Sequence, residues 1–250
     1  MSGHSKWHSI KHQKAAADQK RGKVFTKLAA EIAVAAREGT DPKMNYKLRL
    51  AVTKARQNAM PADNIDRAIA RGSGQAGGAA LEELTYEGYG PSGVALLVHT
   101  VTDNRNRTAA EVKSIFSKYH GNLGAPGSVA YLFEQRGVLV VGEDADRDEV
   151  ELAAIDAGAS DIDDTGEQLL IYTAPHDLER VKDVIASSAG EDKVTNSELE
   201  MIAQQQVRVE DPAKATSILK MIDALDALED VIAVDANYDI PDDILAQISA

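Results

Sequence analysis

Residues 137–190 read GVLVVGEDADRDEVELAAIDAGASDIDDTGEQLLIYTAPHDLERVKDVIASSAG, and the order of patterns in this stretch decides the fold class. The apolar run at 137–142 predicts a strand, and the amphipathic 146–157 a helix. A weak strand at 160–164 and a strong one at 168–173 follow, then a helix at 176–189 and a last strand near 205–209. The order β-α-β-β-α-β is that of a split βαβ, or ferredoxin-like, unit. On its N-terminal side, 128–135 and 137–141 read as strands in series around Arg136-Gly137. Before them come strands at Leu84–Glu87 and Val94–Val101, joined by the Gly- and Pro-containing turn GYGPSG, and then the loop TDNRNRT. A helix is expected from Thr108 to about Tyr119, with Thr108 and Glu111 spaced as a capping box. On the C-terminal side, a helix at 213–228 and a strand at 231–235 are too short to fold alone. They are expected to complete the sheet begun at 84–135, which makes the ferredoxin-like unit an insertion.

The N-terminal quarter has a different pattern. Val24, Leu28, Ile32 and Ala36 recur at four-residue steps with Phe25 and Ala29 beside them, which predicts a helix over 23–38. Asp41-Pro42 reads as the cap and first turn of a second helix with Met44, Leu48, Ala51, Val52 and Ala55 inward. Pro61 opens a third, with Ile65, Ala68 and Ile69 inward, and SGQAGG at 73–78 is a linker. The expected architecture is therefore α+β and multidomain. Residues 1–75 form a three-helix bundle with a basic arm. Residues 80–136 plus 209–245 form a central α+β domain, and 137–208 the inserted ferredoxin-like βαββαβ domain.

Charge is distributed unevenly over these segments. Residues 1–75 carry 15 basic and 6 acidic side chains (+9), and residues 76–250 carry 12 and 34 (−22), which recovers the chain's −13. Lys6, Lys11, Lys14, Lys20, Arg21, Lys23 and Lys27 make the arm cationic, and Trp7 and His12 lie among them. Lys and Arg release counterions from a phosphate backbone, and Trp or His can stack on a base. These residues are the candidate nucleic-acid contacts. The bundle's Lys47, Arg49, Lys54, Arg56, Arg67 and Arg71 extend the positive surface. In the acidic part, Arg105 and Arg107 precede an expected helix N-terminus. They either form a second phosphate contact or pair with the acids around them.

Other chemistries find little footing. There are no cysteines, so disulfides, thiolate metal sites and cysteine nucleophiles are excluded. No window approaches the roughly 18 apolar residues of a membrane span, and the basic N-terminus lacks the apolar core of a secretory signal. A cytoplasmic protein, monomeric and without a cofactor, is expected. Gly72, Gly74 and Gly77, and again Gly88, Gly90 and Gly93, spell GxGxxG, but neither lies between a strand and a helix as a dinucleotide site requires. The acidic runs EDADRDE and ASDIDDTG miss the glycine or the final ligand of a calcium loop. His4, His8 and His12 share a four-residue spacing, but the cations around them oppose a divalent metal. His99 and His120 stand alone in sequence, and no nucleophile or P-loop motif appears, so no enzyme is expected.

Seven blocks, GHSKW (3–7), IKHQKAA (10–16), KRGKVFTK (20–27), MPADNIDRAIARG (60–72), YEGYGPSG (86–93), TDNRNRTAAEV (102–112) and GNLGAPGSVAYLF (121–133), together resemble the YebC family. That family includes bacterial proteins named as probable transcriptional regulators and a mitochondrial translational activator of cytochrome oxidase. The resemblance implies a helical N-terminal domain, a central α+β domain with a ferredoxin-like insertion, and a non-enzymatic role in gene expression. The role so implied is DNA-binding transcriptional regulation or, alternatively, action on the ribosome and its RNA where peptide-bond formation stalls. A reading of another class is an acidic protein–protein adaptor.

Overall fold

The computed structural model describes residues 21–74, 81–190 and 193–249. It is an α+β structure with eight α-helices among the described residues and two four-stranded antiparallel sheets. The chain divides into two compact units, described residues 21–132 with 206–249, and Phe133–Gln205. Among the described residues no helix is long and apolar enough to cross a membrane.

Three helices open the first unit: α1 (Arg21–Ala35), α2 (Tyr46–Gln57) and α3 (Ala62–Gly72). Their core joins Leu28, Ile32 and Ala36 of the first segment to Leu48, Val52 and Ala55 and to Ile65 and Ala68, as the four-residue spacing requires. The start of α2 differs from expectation. Asp41 caps only a turn, its Oδ1 accepting from the Lys43 N–H at 2.9 Å, and the helix begins after Asn45. Asn45 Oδ1 accepts from the Leu48 N–H at 3.1 Å, while Nδ2 donates to the carbonyls of Ala35 (2.7 Å) and Gly39 (2.8 Å). One buried side chain thus caps α2 and ties it to the end of α1, satisfying groups that both helix ends leave free. Met44, expected inward, therefore falls outside the helix and is 87% exposed. The α1–α3 contact is close because the core is rich in alanine. A Cβ on Gly72 would collide with the backbone carbonyl of Ala33.

The sheet of this unit has the order β3-β1-β2-β9, with β1 (Glu82–Tyr89), β2 (Ala95–Thr102), β3 (Asn122–Leu123) and β9 (Val231–Ala236). The hairpin β1–β2 closes at Tyr89↔Ala95 around Gly90–Val94, as the sequence predicted. Helices α4 (Arg105–Lys118) and α7 (Pro212–Asp226) pack with it, and α8 (Asp242–Ser249) rests on α7. The tail strand β9 pairs with β2, completing a sheet whose other strands precede residue 133.

The expected α4 boundary is corrected. Asn104, not Thr108, is the N-cap, its Oδ1 accepting from the Arg107 N–H at 3.1 Å. Thr108 lies inside the helix, fully buried, with Oγ1 2.6 Å from Asp230 Oδ2. The same carboxylate accepts from Thr102 Oγ1 (3.0 Å) and from Arg107 (2.7 and 2.9 Å), and the Asp230 carbonyl accepts from the Val101 N–H (2.8 Å). Burial pushes the Asp230 pKa up, but the bonds from Thr108, Arg107 and Thr102 outweigh it and hold it below the usual carboxylate range. Glu87, 7% exposed, behaves alike. Desolvation raises its pKa, but the N–H groups of Gly127 (2.6 Å), Val129 (2.8 Å) and Ala130 (2.8 Å) lower it more.

The second unit runs β4 (Phe133–Val141), α5 (Arg147–Asp156), β5 (Asp161–Asp164), β6 (Leu169–Thr173), α6 (Leu178–Ala189) and β7 (Val194–Ala203). Its strand order, β5-β6-β4-β7, places β6 between the two strands that α5 connects, which is a split βαβ arrangement. Two expectations are corrected. The strands read in series around Gly137 are one strand beginning at Phe133, with Gly137 inside it and paired to Thr173 and Leu199. The last strand is β7, not 205–209. Val207–Arg208 instead forms β8, a short parallel pair with β10 (Tyr238–Asp239) in the first unit. The polar, alternating VTNSELEMIA hides an edge strand because its register neighbours lie on one side only. The acidic runs serve as caps and turns. Asp146 caps α5, and Asp164 accepts from the Gly166 N–H and pairs with Arg147.

Two outcomes are expected. Gly72→Ala gains at most about 1 kcal/mol of helix propensity but meets backbone, and overpacking of that kind costs about 1–3 kcal/mol, so the melting temperature falls. For Asp230 and Glu87 the folded pKa lies below the unfolded one, so on acidification the unfolded chain takes protons first. Their contribution is full at neutral pH, begins to be lost below about pH 4.5, and is gone once pH passes the folded values. Thermal melts of wild type and Asp230→Asn check this. The variant is expected to be less stable at pH 7 by about 1–3 kcal/mol, and to lose less on acidification.

Candidate nucleic-acid interface

Lys6, Trp7, Lys11, His12, Lys14 and Lys20 lie outside the described residues. Arg21 begins α1, and Lys23 is exposed on its first turn. Lys27 is not a free cation. Its Nζ donates to the Asp226 carbonyl (2.6 Å) and carboxylate (2.8 Å), at the C-terminal end of α7 where a positive charge is favoured. Arg107 is likewise held, by Asp230 at 2.7 Å and Asp103 at 3.2 Å. Hydrogen bonding to Asp230 raises its pKa further. Of the two readings open for Arg107, pairing with acids is the one observed, because the fold brings Asp230 to the start of α4 from far along the chain. Asn104 Oδ1 takes the Arg107 N–H and Thr102 Oγ1 takes the Asn104 N–H, so two backbone donors that an anion at this helix start needs are already used. Arg105 points elsewhere. It is exposed and has no ion pair among the described residues, while its carbonyl accepts from the Tyr86 hydroxyl at 3.4 Å.

The bundle cations divide the same way. Lys47 pairs with Glu38 (2.7 Å), a hydrogen bond that raises its pKa, and Lys54 with Glu31 (3.2 Å). Arg49 donates to the Pro42 and Lys43 carbonyls, and Arg67 to Asn64 and the Asp63 carbonyl. Lys23, Lys43, Arg56 and Arg71 are exposed without a side-chain partner among the described residues. Lys43 was missed because the sequence places it in a helix that starts later. The exposed Met44 and Tyr46 beside it were missed for the same reason.

His99, solitary in sequence, is not solitary in the fold. Nδ1 lies 3.2 Å from Thr85 Oγ1, and Nε2 lies 3.0 Å from Asp235 Oδ2 without hydrogen-bond alignment. Thr85 and His99 are direct partners in the β1–β2 register, and Asp235 is diagonal to His99 across β2–β9. The grouping is what strand pairing produces, not a nucleophile set in a cleft.

Residues 5–75 match the family model described as the TACO1/YebC protein N-terminal domain, and residues 81–238 match the TACO1/YebC second and third domain. A probable transcriptional regulatory protein of Moorella thermoacetica is 49% identical over 252 residues, spanning 99% of each chain. One of Acidithiobacillus ferrooxidans is 50% identical over 251 residues, spanning 100% of this chain and 99% of that one. The crystal structure of a conserved hypothetical protein from Aquifex aeolicus superposes with a TM-score of 0.83 at 40% identity, covering 92% of this chain and 95% of that one. The chain belongs to the TACO1/YebC family.

Proposed function

We propose that this protein regulates gene expression by binding nucleic acid through residues 1–75, with DNA as the target that its relatives' names imply. The observation that carries the reading is charge segregation. The N-terminal portion is +9, and Lys23, Arg56 and Arg71 on its helices and Lys43 in the turn before α2 remain unneutralised, while the unit Phe133–Gln205 has 19 acids against 5 bases. That unit repels phosphate, so binding energy comes from the arm and bundle. Lys6, Lys11, Lys14 and Lys20 contact phosphates, Trp7 and His12 stack, and Arg105 adds a separate contact. Lys27 and Arg107 act as structural ties.

A second reading, structured RNA such as that of the ribosome, draws on α3. A helix-turn-helix reader lays the first turns of its second helix on base edges. Here α2 and α3 are joined by residues 58–61, but α3 opens with exposed Asp63 and Asp66, which the groove's phosphates repel. An arm that follows phosphates and stacks suits RNA loops and cavities better than duplex edges.

The test is binding of DNA and RNA by wild type and by a variant with Lys6, Lys11, Lys14 and Lys20 changed to Gln, over a salt series. Four lost contacts are expected to reduce the log–log salt slope by about 0.9 each for duplex DNA, or about 0.7 each for a single strand. An unchanged slope and affinity overturn the assignment. Co-sedimentation with ribosomes, before and after nuclease, separates the RNA target from DNA.

A further inference from the structure

We propose that the groove between α2 and α3 holds one unpaired guanine of a single-stranded nucleic acid. The inference rests on the nucleic-acid reading above and names the base the bundle takes. The groove has a volume of about 400 Å³, within the about 300–1,000 Å³ typical of small-molecule sites. Val52 and Ile65, 4% and 5% exposed, and half-buried Ile69 give it an apolar floor, and exposed Arg56 and Asp66 stand at its rim.

Arg56 and Asp66 line one groove but do not bridge, and neither side chain has a partner among the described residues. Opposite charges left apart in one concavity offer a ligand a donor fork and an acceptor pair together. A carboxylate only accepts. Among the pairing edges of the bases, guanine alone presents two adjacent N–H donors, at N1 and N2. Adenine and cytosine place a ring-nitrogen acceptor beside their amino group, and uracil and thymine flank one N–H with two carbonyls. Asp66 therefore accepts guanine bidentately and repels the others.

That edge is occupied in a duplex, so the base must be unpaired, which fits loops and single strands. The aliphatic floor covers the base's face, and the Arg56 guanidinium takes the adjoining phosphate in the forked geometry that phosphate favours. Exposed Lys43 and Arg71, the chain neighbours of the lining residues Pro42 and Ala70, add positive charge beside the groove. Exposed Met44 and Tyr46, just before and at the start of α2, offer apolar surface to a flanking base.

The experiment is fluorescence anisotropy of the full-length protein with short oligouridine strands carrying one central guanine, adenine or cytosine, or none, in ribose and deoxyribose forms. Wild type is expected to favour the guanine strand by about tenfold, the discrimination a good bidentate base contact supplies. The two sugar series tell RNA from DNA as the source of the base. Asp66→Asn is expected to bring the guanine strand to parity with the others without weakening oligouridine binding. Arg56→Gln is expected to weaken every strand alike and keep the preference. Both side chains are exposed, so both variants should melt as wild type does. Equal binding of all strands by wild type, or a preference that survives Asp66→Asn, overturns the guanine site while nucleic-acid binding stands. No binding of any single strand overturns the guanine site alone; the reading it rests on falls only if duplex DNA and structured RNA also fail to bind in the salt series above.

Discussion

The carboxylate of Asp230 joins parts of the first unit that are far apart in sequence. Thr102 at the end of β2, Arg107 and Thr108 in α4, and the Val101 backbone all meet Asp230, which lies just before β9. The chain leaves this unit at residue 132 and returns at 206, and Asp230, with the β2–β9 ladder and the Asn237–Ala95 bonds, fixes the tail against the sheet. A half-buried carboxylate is costly unless its oxygens are filled, and here two hydroxyls and a guanidinium fill them. That requirement makes Arg107, for which the sequence leaves phosphate contact and acid pairing both open, a structural tie.

Asn45 and Glu87 solve related problems at shorter range. Each is a polar group buried where backbone donors or acceptors would otherwise be unsatisfied, at a helix joint and at the loop 124–130. With aromatics at 4% of the sequence, the cores are filled by aliphatic side chains and alanine, so backbones come close and glycine is needed where they touch. Gly88 is a second such place, where a Cβ would run into the Phe116 ring and the Asn122 carbonyl. In the bundle, the Asn45 staple and the close approach at Gly72 fix the helices that carry Lys23, Arg56 and Arg71.

Elements with strong periodicity were legible. The α1 to α3 core residues, the β1–β2 hairpin and the helices of Phe133–Gln205 follow from spacing, because burial of one face repeats every 3.6 or 2 residues whatever the neighbours are. The misplacements share a cause. β7 carries polar residues on a strand with one edge open, α2 and α4 start at Asn caps that compete with equally good capping residues nearby, and Gly137 looks like a break but lies inside β4. For β7, α4 and Gly137 the deciding partner is remote in sequence, whereas for α2 it is the end of α1, ten residues back.

The sequence by itself determined that the molecule is α+β, that its positive charge gathers before residue 76, and that cysteine chemistry is absent, since composition and local period need no partner to be read. Only the tertiary structure decided which cations stay free. Lys27 and Arg107 sit on the same footing as Lys23 and Arg105 in one dimension, and they differ because folding brings Asp226 and Asp230 within hydrogen-bond reach of one pair and leaves the other in water. A charge's availability is a property of what surrounds it, and for these residues the surroundings arrive from more than a hundred positions away.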